Sequence, residues 1–494
     1  MNSTPEKLSV VEKIGYSLGD LAANLIFQTL VTFLAFFYTD VYRIPAGTAS
    51  TVIFAGGLLG AFVFTPVMGL VADRTRTRWG KFRPWILWTA IPFGVLSLLA
   101  FSTPDLGESG KVFYALATYT LLVAVYAANN LPYSALSGVI TGSMAERNSL
   151  SSYRFVAVMV AQFVIQALLL PLVLILGGGD KVQGFHNTMA LFAMAGTVCF
   201  LITFFTTRER VVPQAAQKSS VRQDLGDLVR NRPWQVMLAL TILVFVTLAL
   251  KGGMYVYYFK YYLDEAALAA YLQDIGFNGF IAGLNSALTG LGLTEFQWPK
   301  DAPTSALSLF NGGGIILMIV GIGFSKPLAD RYGKRNVFGV FLLLSTLCLL
   351  AFLFLSPRSV GLAMLAQLLH GFLYGITIPL LWAMVADVAD WSEWKNRRRA
   401  TAIVFSAILI GLKLGLSIGG ALVAAILAHY GYDPDLPAQG VQTVQGIRLA
   451  VSVYASLPFL ACVALLFIYE IDKRMETRIE HELGQRRGAA DATA

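Results

Sequence analysis

The sequence predicts an all-α membrane protein of twelve transmembrane helices in two six-helix, pseudo-symmetric halves, and three observations predict it. The first is composition: of 494 residues, 56% are hydrophobic and 13% charged, with a mean hydropathy of +0.64. The second is that apolar runs near the roughly 20 residues a spanning helix requires follow one another almost end to end. The third is a repeated basic turn. Arg74, Arg76, Arg78, Lys81 and Arg83 crowd into the stretch from Gly69 to Trp85, and the design returns in Lys326 to Arg335, with Asp330-Arg331 answering Asp73-Arg74. Short loops rich in Lys and Arg stay cytoplasmic during insertion, so both turns assign the inner face. Two copies in equivalent places mark an internal repeat of the parallel kind found in transporters.

Taken in order, the apolar runs place spans at 16–38, 47–72, 84–102, 112–141, 153–177 and 187–206, then 234–262, 304–325, 336–356, 359–386, 400–428 and 446–470. The loops at 73–83, 142–152, 207–233, 326–335 and 387–399 hold most of the cations, whereas the alternate loops hold isolated ones such as Arg43, Lys111, Lys181 and Arg358. Both termini are then cytoplasmic. The organisation expected is an N-terminal half over 1–207, a polar linker over 208–233 and a C-terminal half over 234–472. The latter carries an external insertion at 264–303, and a charged tail at 473–494, expected to fray, ends the chain. Within the insertion, 266–271 and 276–291 read as short helical pieces, either a surface addition or a lid at the external mouth.

The formal charge of +8 is explained by topology, because the cations sit in alternate short loops, so no nucleic-acid surface is expected. Cys199, Cys348 and Cys462 all lie in apolar segments and imply no disulfide framework. Residues 1–13 are polar and run into a full-length helix, which is not the pattern of a cleavable signal. No nucleophile and base pairing, phosphate loop or metal-ligand cluster is legible; neither an enzyme nor a cofactor is expected.

Polar groups inside a bilayer are costly and usually face a bundle interior or a water-filled cavity, which makes them the best functional signal available. Asp20, Asn24 and Gln28 recur at i, i+4 and i+8 on the first span. Tyr126, Asn130, Tyr133 and Ser137 form a stripe on the fourth, beside Asn129 and Pro132. The fifth begins with Arg154 and carries Gln162 and Gln166. Lys251, Tyr255, Tyr258 and Tyr262 share a face of the seventh. Ser406, Lys413 and Ser417 share a face of the eleventh, where Gly411, Gly415, Gly419 and Gly420 permit close helix packing. Amides and hydroxyls supply donors and acceptors for sugar hydroxyls, and tyrosine rings supply an apolar face for the C–H side of a sugar. Interhelical hydrogen bonding is the structural alternative for the Asn and Gln residues.

The paired G/P-x-x-D-R turns resemble the loop signature of the major facilitator superfamily. A narrower resemblance rests on residues 13–20 (Lys-Ile-Gly-Tyr-Ser-Leu-Gly-Asp), Phe37-Tyr38-Thr39-Asp40, R-W-G-K-F-R-P-W at 78–85, Glu146-Arg147 with Arg154, and Tyr257-Tyr258-Phe259. It continues with A-D-V-A-D-W-S-E-W-K at 386–395, Arg399, and G-L-K-L-G at 411–415. This ensemble resembles the glycoside-pentoside-hexuronide:cation symporters. The resemblance implies a secondary transporter of the cytoplasmic membrane that carries a sugar or glycoside by alternating access, driven by a cation. By position it implies sugar contacts at Asn24, Asn130 and Arg154 and near Lys413; the stripes add Gln28, Tyr126, Gln162, Tyr255 and Tyr258 to the candidate binding set.

The chain departs from the family's melibiose-carrying members at the carboxylates. Amides stand at Asn24 and Asn130, and Ala61 and Thr65 stand where the sodium-binding acids belong, so proton coupling is expected in place of sodium coupling. Asp20 is the first candidate carrier and His370, the His well inside an apolar run, the second. A set rich in Arg154, Lys251 and Lys413 requires that Asp20 neutralise one cation or that the solute be acidic, a hexuronide for example. Asp73, Arg74, Asp330, Arg331, Asp387, Asp390, Glu393 and Arg399 are expected to form an inner gate. The partners expected are a small sugar or glycoside, a proton and the lipid bilayer, with the protein a monomer and no metal bound. The alternatives are a carrier of lysophospholipid-type amphiphiles and a facilitator without ion coupling.

Overall fold

The structure, a computed structural model, describes residues 7–141, 143–211, 226, 228–294, 296–396 and 401–491. Among the described residues, twelve helices are long and apolar enough to cross a membrane. They run over Val10–Val41, Ala46–Ala72, Arg83–Ala100, Glu108–Ile140, Glu146–Leu176 and Lys181–Thr206, then Arg232–Tyr262, Ala302–Tyr332, Lys334–Phe354, Val360–Lys395, Val404–His429 and Val441–Leu466. Each overlaps most of its expected apolar run, with ends that differ by a few residues, and several continue into polar sequence. The stretch from Lys326, expected as a loop, remains helical to Tyr332, and the chain turns only at Gly333, whose φ of +84° is in the left-handed region. Residues 387–396 likewise continue the tenth span. The physical reason is that a helix need not stop where the apolar run does: its backbone bonds are internal, and cations in its last turn face the negative end of the helix dipole.

The chain folds as two compact units, one of residues 1–216, 252–312 and 420–447 and the other of 217–251, 313–419 and 448–494. In the first, Tyr16 and Tyr133 stack with ring centroids 4.6 Å apart and lock by reciprocal bonds: Tyr133 Oη donates to the Tyr16 carbonyl at 2.8 Å and Tyr16 Oη to the Tyr133 carbonyl at 3.1 Å. A second core of Phe37, Phe101 and Phe185 packs toward the far end of the first span. The basic turn at 73–83 is held from below by Glu209, whose carboxylate accepts from the backbone N–H groups of Lys81, Phe82 and Arg83 at 2.7 to 2.9 Å. Gly80 is required there, since its φ is +114° and a Cβ would lie 2.4 Å from the Glu209 carboxyl carbon. Glu265–Asp274 and Phe277–Gly290 form the two short helices of the insertion.

In the second unit the glycines of the eleventh span do what their spacing predicts. A Cβ on Gly415 would lie 2.4 Å from the Ile242 carbonyl oxygen, and one on Gly419 2.4 Å from that of Val246. The tail expected to fray is instead helical over Lys473–Asp491. Its Ile479 and Leu483 are buried, Glu482 accepts from Trp394 Nε1 at 2.6 Å, and Arg478 pairs with Glu482 one turn on at 2.8 Å, so apolar burial and an i,i+4 pair order a segment whose composition alone is polar.

Candidate functional site

The first, fourth and fifth spans bring four of the expected polar residues together in the first unit. Asp20 is buried, and its carboxylate pairs with Arg154 Nε through Oδ2. Asn24, one turn along, donates its Nδ2 both to the Asp20 carbonyl at 2.9 Å and to Oδ1 at 3.1 Å. The Arg154 guanidinium lies 5.5 Å from the centre of the Tyr133 ring. Arg154 thus has a counter-charge in Asp20. Its side chain remains 35% exposed, and its two Nη groups make no hydrogen bond to a described residue, so they are donors available to a solute.

Around this cluster Tyr126 stacks on Phe27 at 5.1 Å, and Gln28, Asn130 and Gln162 are half-buried. Asn130 makes no hydrogen bond to another described residue. Asn129, its neighbour, is turned into the core and donates to Thr89 Oγ1 at 2.8 Å. Tyr255 and Tyr258 are not grouped with the cluster: both are buried, Tyr255 edge-on to Phe310 at 4.8 Å and Tyr258 stacked on Tyr262 at 4.8 Å. Ala61 is fully buried with no ligating atom, and the Thr65 hydroxyl donates to the Gly60 carbonyl at 2.7 Å.

In the second unit Lys251 and His370, both buried, meet at 2.6 Å between Nζ and Nε2. His370 Nδ1 lies 2.9 Å from the Ser345 carbonyl oxygen. A carbonyl only accepts, so Nδ1 carries hydrogen and the lone pair on Nε2 faces the lysine. The Tyr374 ring stacks on His370 and lies under the Lys251 ammonium, 5.9 Å from each. Lys413 is half-buried on the eleventh span.

The residues expected to form an inner gate are only partly assembled. Lys334 bridges Asp387, at 2.7 Å, and Glu476, at 2.7 Å. The Asp330 carbonyl accepts from Lys473 Nζ at 2.6 Å, and Arg331 packs 5.2 Å from the Tyr332 ring centre. Asp390 is exposed, Glu393 half-buried and Arg74 exposed. The Asp73 side chain and Arg399 lie outside the described residues.

Sequence reasoning missed an opposite cluster in the first unit. Asp40, its side chain 4% exposed, accepts from Lys260 Nζ at 2.8 Å, Tyr432 Oη at 2.8 Å and Thr39 Oγ1 at 2.9 Å. Thr39 also meets Tyr257 Oη at 2.7 Å, and Arg43 pairs with Asp435 at 2.7 Å. Burial and the Asp40 charge both push the Tyr432 phenol far above its usual range, so it stays protonated and remains the donor. The signal was present: Asp40 and Lys260 sit at the far ends of the first helix of each half, with opposite charge. Beside them lies a cavity of about 120 Å³ walled by Phe36, Lys181, Asp301 and Leu307.

Comparison with known proteins places the chain in a family. The sequence matches the MFS/sugar transport protein family over residues 15–288 and 303–473. It is 36% identical to the inner membrane symporter YicJ of Escherichia coli K12, covering 97% of this chain and 94% of that one. It is 34% identical to the putative glycoside/cation symporter YagG of the same organism, covering 98% of each, and 31% identical to the isoprimeverose transporter of Lactiplantibacillus pentosus, covering 98% and 93%. Among solved structures, a bacterial homologue of the human lysosomal transporter Spinster superposes with a TM-score of 0.61 at 14% identity, covering 95% of this chain and 99% of that one, a likeness of fold alone. The chain is therefore an integral inner-membrane secondary transporter, not an enzyme, and belongs to the glycoside-pentoside-hexuronide:cation symporters of the major facilitator superfamily.

Proposed function

We propose that this protein imports a neutral glycoside by alternating access and that a proton, in place of sodium, drives it. The observation that carries the reading is the Asp20–Asn24–Arg154 cluster. With its charge met by Asp20, Arg154 does not require an anionic solute, and its free Nη donors with the Asn130 amide suit hydroxyl groups. The names of two relatives, a glycoside/cation symporter and an isoprimeverose transporter, support a glycoside. An acidic sugar is the second reading, favoured by Lys413 on the eleventh span and by a 28% identical glucuronide carrier homologue.

For coupling, neither Ala61 nor Thr65 offers sodium a carboxylate. Asp20 is the carrier we favour, because a proton on its carboxylate releases Arg154 and so links protonation to the group that grips the solute. The test is uptake into proteoliposomes of glycosides first selected by thermal shift. An inward proton gradient should drive accumulation, and Asp20→Asn should retain exchange while losing accumulation. Strong sodium stimulation at fixed pH refutes proton drive; a rate indifferent to both gradients indicates a facilitator. Wild-type protein stabilised only by glycuronides refutes the neutral substrate and leaves the carrier intact.

A further inference from the structure

The second unit carries two grooves at the ends of its ninth and twelfth spans that the transport reading does not use. One is apolar, about 270 Å³, and runs along the helix surface between Val340 and Leu343 on one side and Val463, Leu466 and Phe467 on the other. Val340 is 55% and Phe467 80% exposed, as expected of side chains that face lipid. Arg335 and Asn336 also line this groove. Asn336 also borders the second groove, about 830 Å³, whose other wall is the terminal helix with Arg474, Thr477, Arg478 and His481. An apolar channel and a basic basin therefore meet at a shared residue.

The basin's charges are not used up internally. Its acid, Asp472, caps the terminal helix by accepting from the Met475 N–H at 2.8 Å. Lys473 is committed to the carbonyls of Asp330 and Arg331, and Arg478 to Glu482. Arg335 and Arg474 have no hydrogen-bond or ion-pair partner among the described residues, and Arg474 is exposed.

We propose that this composite groove binds an anionic glycerophospholipid of the inner leaflet, its phosphate against Arg335 and Arg474 and an acyl chain along Val340, Leu343 and Phe467. The inference rests on the cytoplasmic placement of the basic turns but not on the identity of the sugar. A soluble phosphate ester fills only the basin, and a zwitterionic lipid brings with its phosphate a cation that the two guanidinium groups repel. Only a molecule with both an anionic head and an apolar chain satisfies both grooves.

The test uses the purified, delipidated full-length protein titrated with dioleoyl phosphatidylglycerol, dioleoyl phosphatidylcholine and sn-glycerol 3-phosphate, read by thermal unfolding and by native mass spectrometry. Phosphatidylglycerol should bind saturably and at least tenfold more tightly than the other two. Arg335→Gln and Arg474→Gln should each weaken it about fivefold, the equivalent of about 1 kcal/mol for a basic residue near an anionic lipid surface. Arg474→Lys should restore most of the loss, and Val340→Trp, which fills the apolar channel, should weaken phosphatidylglycerol while sparing glycerol phosphate. Equal binding of phosphatidylcholine, full competition by glycerol phosphate, or arginine variants indistinguishable from wild type would each overturn the proposal. Any of these leaves the transport reading intact, because transport is not measured.

Discussion

Replacing Lys260 by Met removes the cation that pairs with Asp40 and leaves a buried carboxylate that, among the described residues, accepts from the Tyr432 and Thr39 hydroxyls. A hydrogen bond to a charged group contributes roughly 1.5–3 kcal/mol. Lys260 is 32% exposed, and solvent screening takes the value to the lower end, about 1.5 kcal/mol. The network ties the end of the first span to the end of the seventh and to the loop after the eleventh, so it exists only while those ends are together. Losing about 1.5 kcal/mol from that arrangement alone raises the ratio of parted to joined helix ends roughly tenfold. The assay places a single cysteine, Leu307→Cys, on the wall of the neighbouring cavity after Cys199, Cys348 and Cys462 are changed to Ser, and follows its reaction with a membrane-impermeant maleimide. Lys260→Met and Asp40→Asn should each speed labelling about tenfold, and the double variant should add little to either, because both remove the same contact. Labelling within twofold of the parent, or fully additive effects, would refute a latch.

Three further outcomes follow from the same geometry. Glu209→Gln removes a charge that serves three backbone donors and should expose the 73–83 turn, read as at least threefold faster trypsin cleavage after Arg78 or Lys81; unchanged cleavage would mean the turn holds itself. Asp387→Asn takes away one of two acids on Lys334 and should lower transport while leaving glycoside binding within twofold, whereas equal loss of both would argue against an inner gate. Lys251→Met strips His370 Nε2 of its donor and should destabilise the protein by about 1–3 kcal/mol, seen as a lower unfolding temperature. With Asp20 as carrier, proton-driven accumulation survives in that variant; its loss with binding intact would move the carrier to the Lys251–His370 pair.

The spans were legible because their signal is additive: about 20 apolar side chains vote together, and no single residue decides. The ends were not, since the helix past Lys326 and the one from Lys473 are set by capping, by burial of a few side chains such as Ile479 and Leu483, and by pairs such as Arg478 with Glu482. The site was legible where chemistry is periodic along one helix. Asp20 and Asn24 share a face by spacing alone, and they do meet. Which cation Asp20 would neutralise was not legible, because Arg154, Lys251 and Lys413 come from three helices and the sequence carries no distance between them. Tyr255 and Tyr258 share a stripe with Lys251, and period says which face they occupy and not whether that face meets solute or a packed neighbour such as Phe310.

The first and seventh spans both end in a widened turn, Phe37–Val41 and Tyr258–Tyr262, in which hydrogen bonds reach five residues back instead of four. Such a turn holds one more residue per circuit than the helix that leads into it. If the surplus residue migrates along the helix, everything between its old and new positions rotates by about 100°, the angular step of one α-helical residue, without the helix body sliding through the bilayer. Asp40 and Lys260 lie inside these two turns. Such a migration would turn Asp40 or Lys260 out of its pair in place, like the tooth of a ratchet.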